Sequence, residues 1–186
     1  MHLIVEFKRY NIPTCQVLKE ILVPIWLLLL SFLIFWYMDI ILIAAVTANG
    51  MIAHHSDEVI EWSLDLALFR QQTMGHTVIM GSNTERTLAT DLDGRNVIVM
   101  HRDMDPREVL KNIKDEKCYI IGGSRTYTRF APYLTHLYLT FHPLILSSQS
   151  LHLFTALGND IDLEFIGKIE VDGEKGVYQF QYRVKQ

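Results

Sequence analysis

The chain has 186 residues, a formal net charge of -4, and 49% hydrophobic and 20% charged residues, which excludes a disordered tail and suits one ordinary domain with its own core. The negative balance and the lack of any run of like charges exclude a general nucleic-acid surface, which needs a basic stripe. Cys15 and Cys118 are too few for a disulfide scaffold and fit a reducing compartment, the cytoplasm, and the histidines have no HExxH or CxxC companion, so no metal site is expected.

In chain order, the first feature is Ile21 to Tyr37 (ILVPIWLLLLSFLIFWY), uncharged and preceded by Lys8, Arg9 and Lys19. A bilayer span takes about 20 apolar residues, with about 17 as a lower limit, so this is a marginal anchor. A cleaved signal is disfavoured because no small-residue cleavage site follows. A buried strand over 40–46 begins almost at once, leaving no linker to clear lipid headgroups, and Met38 makes a natural first residue. The expected division is a hydrophobic extension over 1–37, either a membrane anchor or a misplaced start, and a catalytic domain over 38–186.

After the first strand, Asn49-Gly50 is a turn, since both residues tolerate positive φ. A polar stretch over 54–61 without periodicity reads as a surface loop. Trp62 to Met74 is expected to be a helix ended by Gly75. Thr77–Met80 is a short apolar strand ending at Gly81, with Ser82 or Asn83 expected to cap a short helix over 83–89. Asn96–Met100 is a third strand, and Asp105-Pro106 opens a helix to Ile113. Lys117–Ile121 is a fourth strand, halted by Gly122-Gly123 and followed by a helix over 124–131 with Ser124 as its expected cap. His136–Phe141 alternates as a fifth strand, 143–158 reads as a loop, and 163–171 with 176–184 form a terminal hairpin.

Strands and helices thus alternate through residue 141 and a hairpin closes the chain. The expected class is α/β: a mostly parallel central sheet, helices on both faces, and a C-terminal antiparallel hairpin. Ligands of such sheets sit beyond the carboxyl ends of the strands. The polar and glycine-rich segments fall there: Asn49-Gly50, Gly81-Ser82-Asn83-Thr84, His101-Arg102 and Gly122-Gly123. They outline a nucleotide-sized site, with a pyrophosphate near Asn83–Thr84 and Ser124–Arg125 and a further phosphate near Arg102 and His101.

From Met38 onward the chain resembles the dihydrofolate reductase superfamily. The resemblance is carried by Ile43-Ala44-Ala45, by Asp65-Leu66-Ala67-Leu68-Phe69-Arg70, and by Val78-Ile79-Met80-Gly81 with Thr84. Further along it rests on Gly94-Arg95-Asn96-Val97-Ile98-Val99, Ile120-Ile121-Gly122-Gly123 with Tyr127, and Leu137-Tyr138-Leu139-Thr140. It implies NADPH as cofactor and a small-molecule substrate. It implies that Asp65 hydrogen-bonds the pterin ring and assists its protonation, with Thr140 behind it through a water. Ile43, Ala45, Leu66, Phe69 and Leu88 would wall the substrate pocket, and Arg95 would grip a substrate carboxylate. Ala45, Ile52, Ile121, Gly122, Gly123 and Tyr127 would surround the nicotinamide end. Gly81, Asn83, Thr84, Ser124, Arg125 and Thr126 would border the rest of the cofactor, with His101 and Arg102 at its phosphates and Arg102 selecting NADPH over NADH.

Hydride donation to a C=N bond needs a proton at the adjacent nitrogen, which an acid among apolar neighbours is suited to deliver. Asp65 stands in WSLDLALF, an odd setting for a solvated carboxylate. Some segments depart from the resemblance. Glu61-Trp62 stands where a Met-Pro-Trp closure is usual, Ser82 replaces an arginine, and the span from His101 to Pro106 is short enough to lose a strand. Phe141 to Phe154 and Thr47 to Ala53 look more like the pyrimidine reductases of riboflavin synthesis. Dihydrofolate is the first expected substrate. Reduction of a ribosylamino-pyrimidine phosphate is the alternative, and an inactive, membrane-tethered NADP-binding module is the reading from another class.

Overall fold

The computed structural model describes residues 38–88 and 91–185. The extension over 1–37, with its expected anchor at 21–37, lies outside them. Among the described residues no helix is long and apolar enough to cross a membrane.

The β-branched run after Met38 forms β1 (Asp39–Thr47), the middle strand of a seven-stranded sheet. The others are β3 (Thr77–Gly81), β4 (Asn96–Met100), β5 (Lys117–Gly122), β6 (His136–His142), β8 (Leu163–Asp172) and β9 (Val177–Val184), in the order β4-β3-β5-β1-β6-β9-β8. The first five run parallel, and β9 and β8 add antiparallel to β6, as the alternation and the closing hairpin predict. Successive residues Ile40, Ile41, Leu42 and Ile43 are all buried, so both faces of the central strand are covered. One face holds Ile41, Ile43, Val78, Met80, Tyr119 and Ile121, with Phe69 and Leu88 packed against them.

The helices are short: α1 (Leu66–Thr73), α2 (Ser82–Thr87), α3 (Pro106–Lys111) and α4 (Ser124–Phe130), with a 3-10 turn over Ala131–Tyr133 that absorbs Pro132. In α3 the Asp105 side chain accepts from the Arg107 N–H and Pro106 fills the first turn, as the sequence predicts. Four readings need correction. The first helix does not start at Trp62: its first backbone bond runs from the Phe69 N–H to the Asp65 carbonyl, while Trp62 and Leu64 meet His142 of another strand. Neither Ser82 nor Asn83 caps α2, because Gly81 stands at that position. Ser124 does not cap α4: Gly123 does, and Ser124 is the first helical residue. The stretch 143–158 is not wholly loop. It contains β7 (Leu151–His152), which pairs antiparallel with β2 (Met51–Ala53), a ribbon too short to show a period. The Asn49-Gly50 turn seats this ribbon, with Asn49 Nδ2 donating to the Leu146 carbonyl at 2.8 Å and Gly50 at φ 79°.

Candidate active site

The carboxyl ends of β1, β3, β4 and β5 open into one cavity of about 790 Å³. β1 contributes Ile43 and Ala45, β2 contributes Ile52, and the loop after β4 contributes His101 and Arg102. Gly81, Asn83, Thr84 and Leu88 enter from β3, α2 and the residue after it. Ile121, Gly122, Gly123, Ser124, Arg125, Thr126 and Tyr127 come from β5 and α4, and Asp65, Leu66 and Phe69 from the start of α1. Of the residues expected at the site, Arg95 and Thr140 are not on this lining.

The glycines allow β3 and β5 to end almost in contact. The Gly122–Gly123 peptide is cis, and Gly122 has φ 134°, which side chains rarely adopt. A Cβ on Gly122 would stand 3.3 Å from the Thr84 side chain and 3.5 Å from the Tyr127 hydroxyl, and one on Gly123 3.3 Å from Thr84 Oγ1. One on Gly81 would lie 2.8 Å from Thr126 Oγ1. Tyr127, fully packed, donates from its hydroxyl to the Ile43 carbonyl at 2.9 Å, tying α4 to β1. Burial, and then the nearby Asp65 carboxylate, raises its phenol far above the usual range.

Asp65 is 5% exposed although it precedes a helix half of whose residues are exposed. It occupies the N-cap position, yet its carboxylate makes no capping bond and instead accepts from the Ser63 hydroxyl at 2.5 Å. The preceding Leu64 N–H donates to His142 Nε2 at 3.0 Å, and Trp62 meets the His142 ring edge-on at 5.2 Å between centroids. Thr140, opposite Ala45 in the register, is fully buried. Among the described residues, the buried side-chain polar atoms without a protein partner are Trp62 Nε1, Arg95 Nη2, Ser124 Oγ and Thr140 Oγ1. Buried polar atoms are ordinarily paired; the Arg95 and Ser124 atoms belong to residues that the resemblance assigns to ligands, and the Thr140 atom to one that it sets beside Asp65.

Arg95 donates from Nε to Thr73 Oγ1 and from Nη1 to the Asp91 carbonyl, both at 2.8 Å, while its guanidinium carbon lies 5.7 Å from the centre of the Phe69 ring. Burial, and then the neighbouring Arg70, lowers its pKa. It therefore buttresses the cavity wall and keeps one donor uncommitted. The lining also contains residues that were not foreseen. His54, His55 and Glu58 come from the aperiodic loop, which offers no sequence signal for its course. There the Glu58 carboxylate accepts from the His54 N–H and faces His54 Nδ1 at 2.8 Å. Burial pushes the Glu58 pKa up, and the contacts with His54 more than reverse this. Arg129 is also on the lining and donates to the His101 and Met104 carbonyls, bracing the turn that carries Arg102. Its position four residues after Arg125 was the available clue.

A family model described as dihydrofolate reductase matches residues 39–145. The chain is 35% identical over 112 residues to the dihydrofolate reductase of Bacillus subtilis (strain 168), a match that covers 53% of this chain and 66% of that protein. With dihydrofolate reductase type 8 of Escherichia coli it shares 34% over 122 residues, 53% of this chain and 71% of that protein. Among solved structures, dihydrofolate reductase from Enterococcus faecalis complexed with NADP(H) and RAB-propyl aligns with a TM-score of 0.62 at 18% identity, over 80% of this chain and 97% of that one, a likeness of fold. With the sheet order, the paired glycines and the sheltered aspartate already in place, the family match over residues 39–145 leaves one assignment: the chain belongs to the dihydrofolate reductase family.

Proposed function

We propose that this chain reduces 7,8-dihydrofolate to tetrahydrofolate with NADPH. The observation that carries this reading is that the Asp65 carboxylate and the Gly122–Gly123 turn border one cavity in a chain of this family. The residues present suit the cofactor: glycines 81, 122 and 123 are places where a Cβ would crowd the wall, and Ser124 Oγ has no protein partner. Ala45, Ile52, Ile121, Gly122, Gly123 and Tyr127 surround the nicotinamide end. Gly81, Asn83, Thr84, Ser124, Arg125 and Thr126 border the phosphates, and His101 and Arg102 take the charge that separates NADPH from NADH. When bound, the reduced nicotinamide supplies the hydride.

The chain's own residues then do four things. Ile43, Leu66, Phe69 and Leu88 enclose a flat heterocycle and keep water from the reacting bond. Asp65 holds the ring by a hydrogen bond and serves its protonation, so that one C=N bond gains a hydride on carbon and a proton on nitrogen. The Thr140 hydroxyl supports that proton path, and Arg95, off the lining beside Phe69, takes a substrate carboxylate through Nη2 once its guanidinium turns toward the cavity. The domain works in the cytoplasm, with residues 21–37 as its one candidate link to a bilayer. The test follows NADPH absorbance after adding dihydrofolate or, in parallel, a ribosylamino-pyrimidine phosphate. Oxidation that depends on dihydrofolate is expected; oxidation with the pyrimidine alone, or with neither, overturns the reading.

A further inference from the structure

Resting on that reading, we infer that His142 is a positioning residue for the reaction, setting Asp65 against Thr140 through a neutral imidazole. The hydrogen-bond partners fix its protonation. Nδ1 lies 3.1 Å from the Thr140 carbonyl oxygen, which can only accept, so Nδ1 carries the proton. Nε2 lies 3.0 Å from the Leu64 backbone nitrogen, which can only donate, so Nε2 carries the lone pair. The ring is 3% exposed, edge-packed by Trp62, and sits at the last position of β6 opposite Thr47 of β1.

Two groups that must cooperate come from segments far apart in the chain. Thr140 is on the rigid sheet. Asp65 ends a stretch, 54–65, that has neither helix nor strand, and the residue just before it is bonded to a side chain 78 positions away. The imidazole spans from the carbonyl of Thr140 to the amide before Asp65. The distance between the carboxylate and the Thr140 hydroxyl is therefore set by one aromatic ring rather than by the course of a loop. A misplacement of about 1 Å in a reacting group can cost about 100-fold in rate, which makes such a brace consequential.

Two amides separate the two bonds. His142→Asn can donate to the Thr140 carbonyl from the Nδ1 position but falls short of Leu64, whereas the longer His142→Gln amide carries on one group both an acceptor for the Leu64 N–H and a donor for the Thr140 carbonyl. In the full chain, the Leu64 amide of the Asn variant is expected to exchange its hydrogen about tenfold faster, and kcat with dihydrofolate to fall about 10- to 100-fold while NADPH affinity holds. The Gln variant is expected to restore both the protection and the rate. Unchanged kcat in the Asn variant despite faster Leu64 exchange overturns the inference, as does equal loss of kcat in both variants. Unfolding of both variants overturns it too, by making His142 a folding residue. If the unmutated chain fails to turn over dihydrofolate, the proposed function has failed and this inference falls with it, a result separable from any difference between the variants.

Discussion

A carboxylate with one bond from a neighbouring serine and little contact with water is poised to bond something else, and Asp65 is in that condition. Replacing it with asparagine keeps the shape and removes the acid. For Asp65→Asn we expect kcat for dihydrofolate to drop by about 100-fold or more, the usual scale of lost acid–base help, with NADPH affinity by fluorescence titration unchanged. A collapse of NADPH binding would instead put the acid on the cofactor. Arg102 is the second residue with a separable effect. It is on the cavity lining beside the turn that Arg129 braces, and a guanidinium there favours an extra phosphate. Arg102→Ala is expected to weaken NADPH by about tenfold or more, the scale of one lost charged hydrogen bond, and to leave NADH nearly unaffected; equal losses would remove Arg102 from that contact.

At the scale of elements, the turn from β5 into α4 is the least replaceable piece. Gly122→Ala combines a φ of 134° with a Cβ 3.3 Å from Thr84, so we expect about 1–3 kcal/mol of destabilisation by urea titration together with weakened NADPH binding. This turn is legible because the glycine pair, weak by itself, ends a β-branched run while the other strand ends supply matching polar loops, and the parallel strands are legible because each is a short apolar run with clear punctuation. What escaped notice depends on distant partners. The start of α1 was misplaced because Leu64 looks like one more apolar residue on a helical face, while its amide is claimed by His142 from another strand. Ser124 reads as a cap by residue type, yet Gly123 adopts the capping conformation and leaves the hydroxyl inside the site. β2 and β7 were invisible because a pair of two to three residues carries no period. Arg95 and Thr140 are matched by resemblance, and only the coordinates leave them off the cavity lining.

For the molecule as a whole, the stability should depend on acidity through His136. Burial lowers its pKa from 6.5, partly opposed by Asp39 at 3.6 Å. The unfolded chain therefore binds this proton more readily than the fold does, so stability is full above about pH 6.5 and declines as pH falls through the lowered value. Urea midpoints measured from about pH 7 down to about pH 5 should fall more steeply for the natural chain than for His136→Gln. Residues 38–186 contain the whole described sheet and the cavity, so expressed alone they are expected to fold and to oxidise NADPH with dihydrofolate at the full-length rate; an inactive product would give the first 37 residues a part in the fold. The position of β1 in the middle of the sheet also bears on biosynthesis. Its two partners, β5 and β6, are encoded far downstream, with Ile40 bonded to Thr135 across 95 positions. At a translation speed of about 5–20 residues per second, about 4–16 s pass before the first of these partners, β5, follows, and in that interval a greasy, ribbon-forming segment has emerged from the ribosome with no mate. Chaperones that shield nascent hydrophobic stretches should therefore engage this polypeptide early, at its central strand, and release it once the sixth strand has been made.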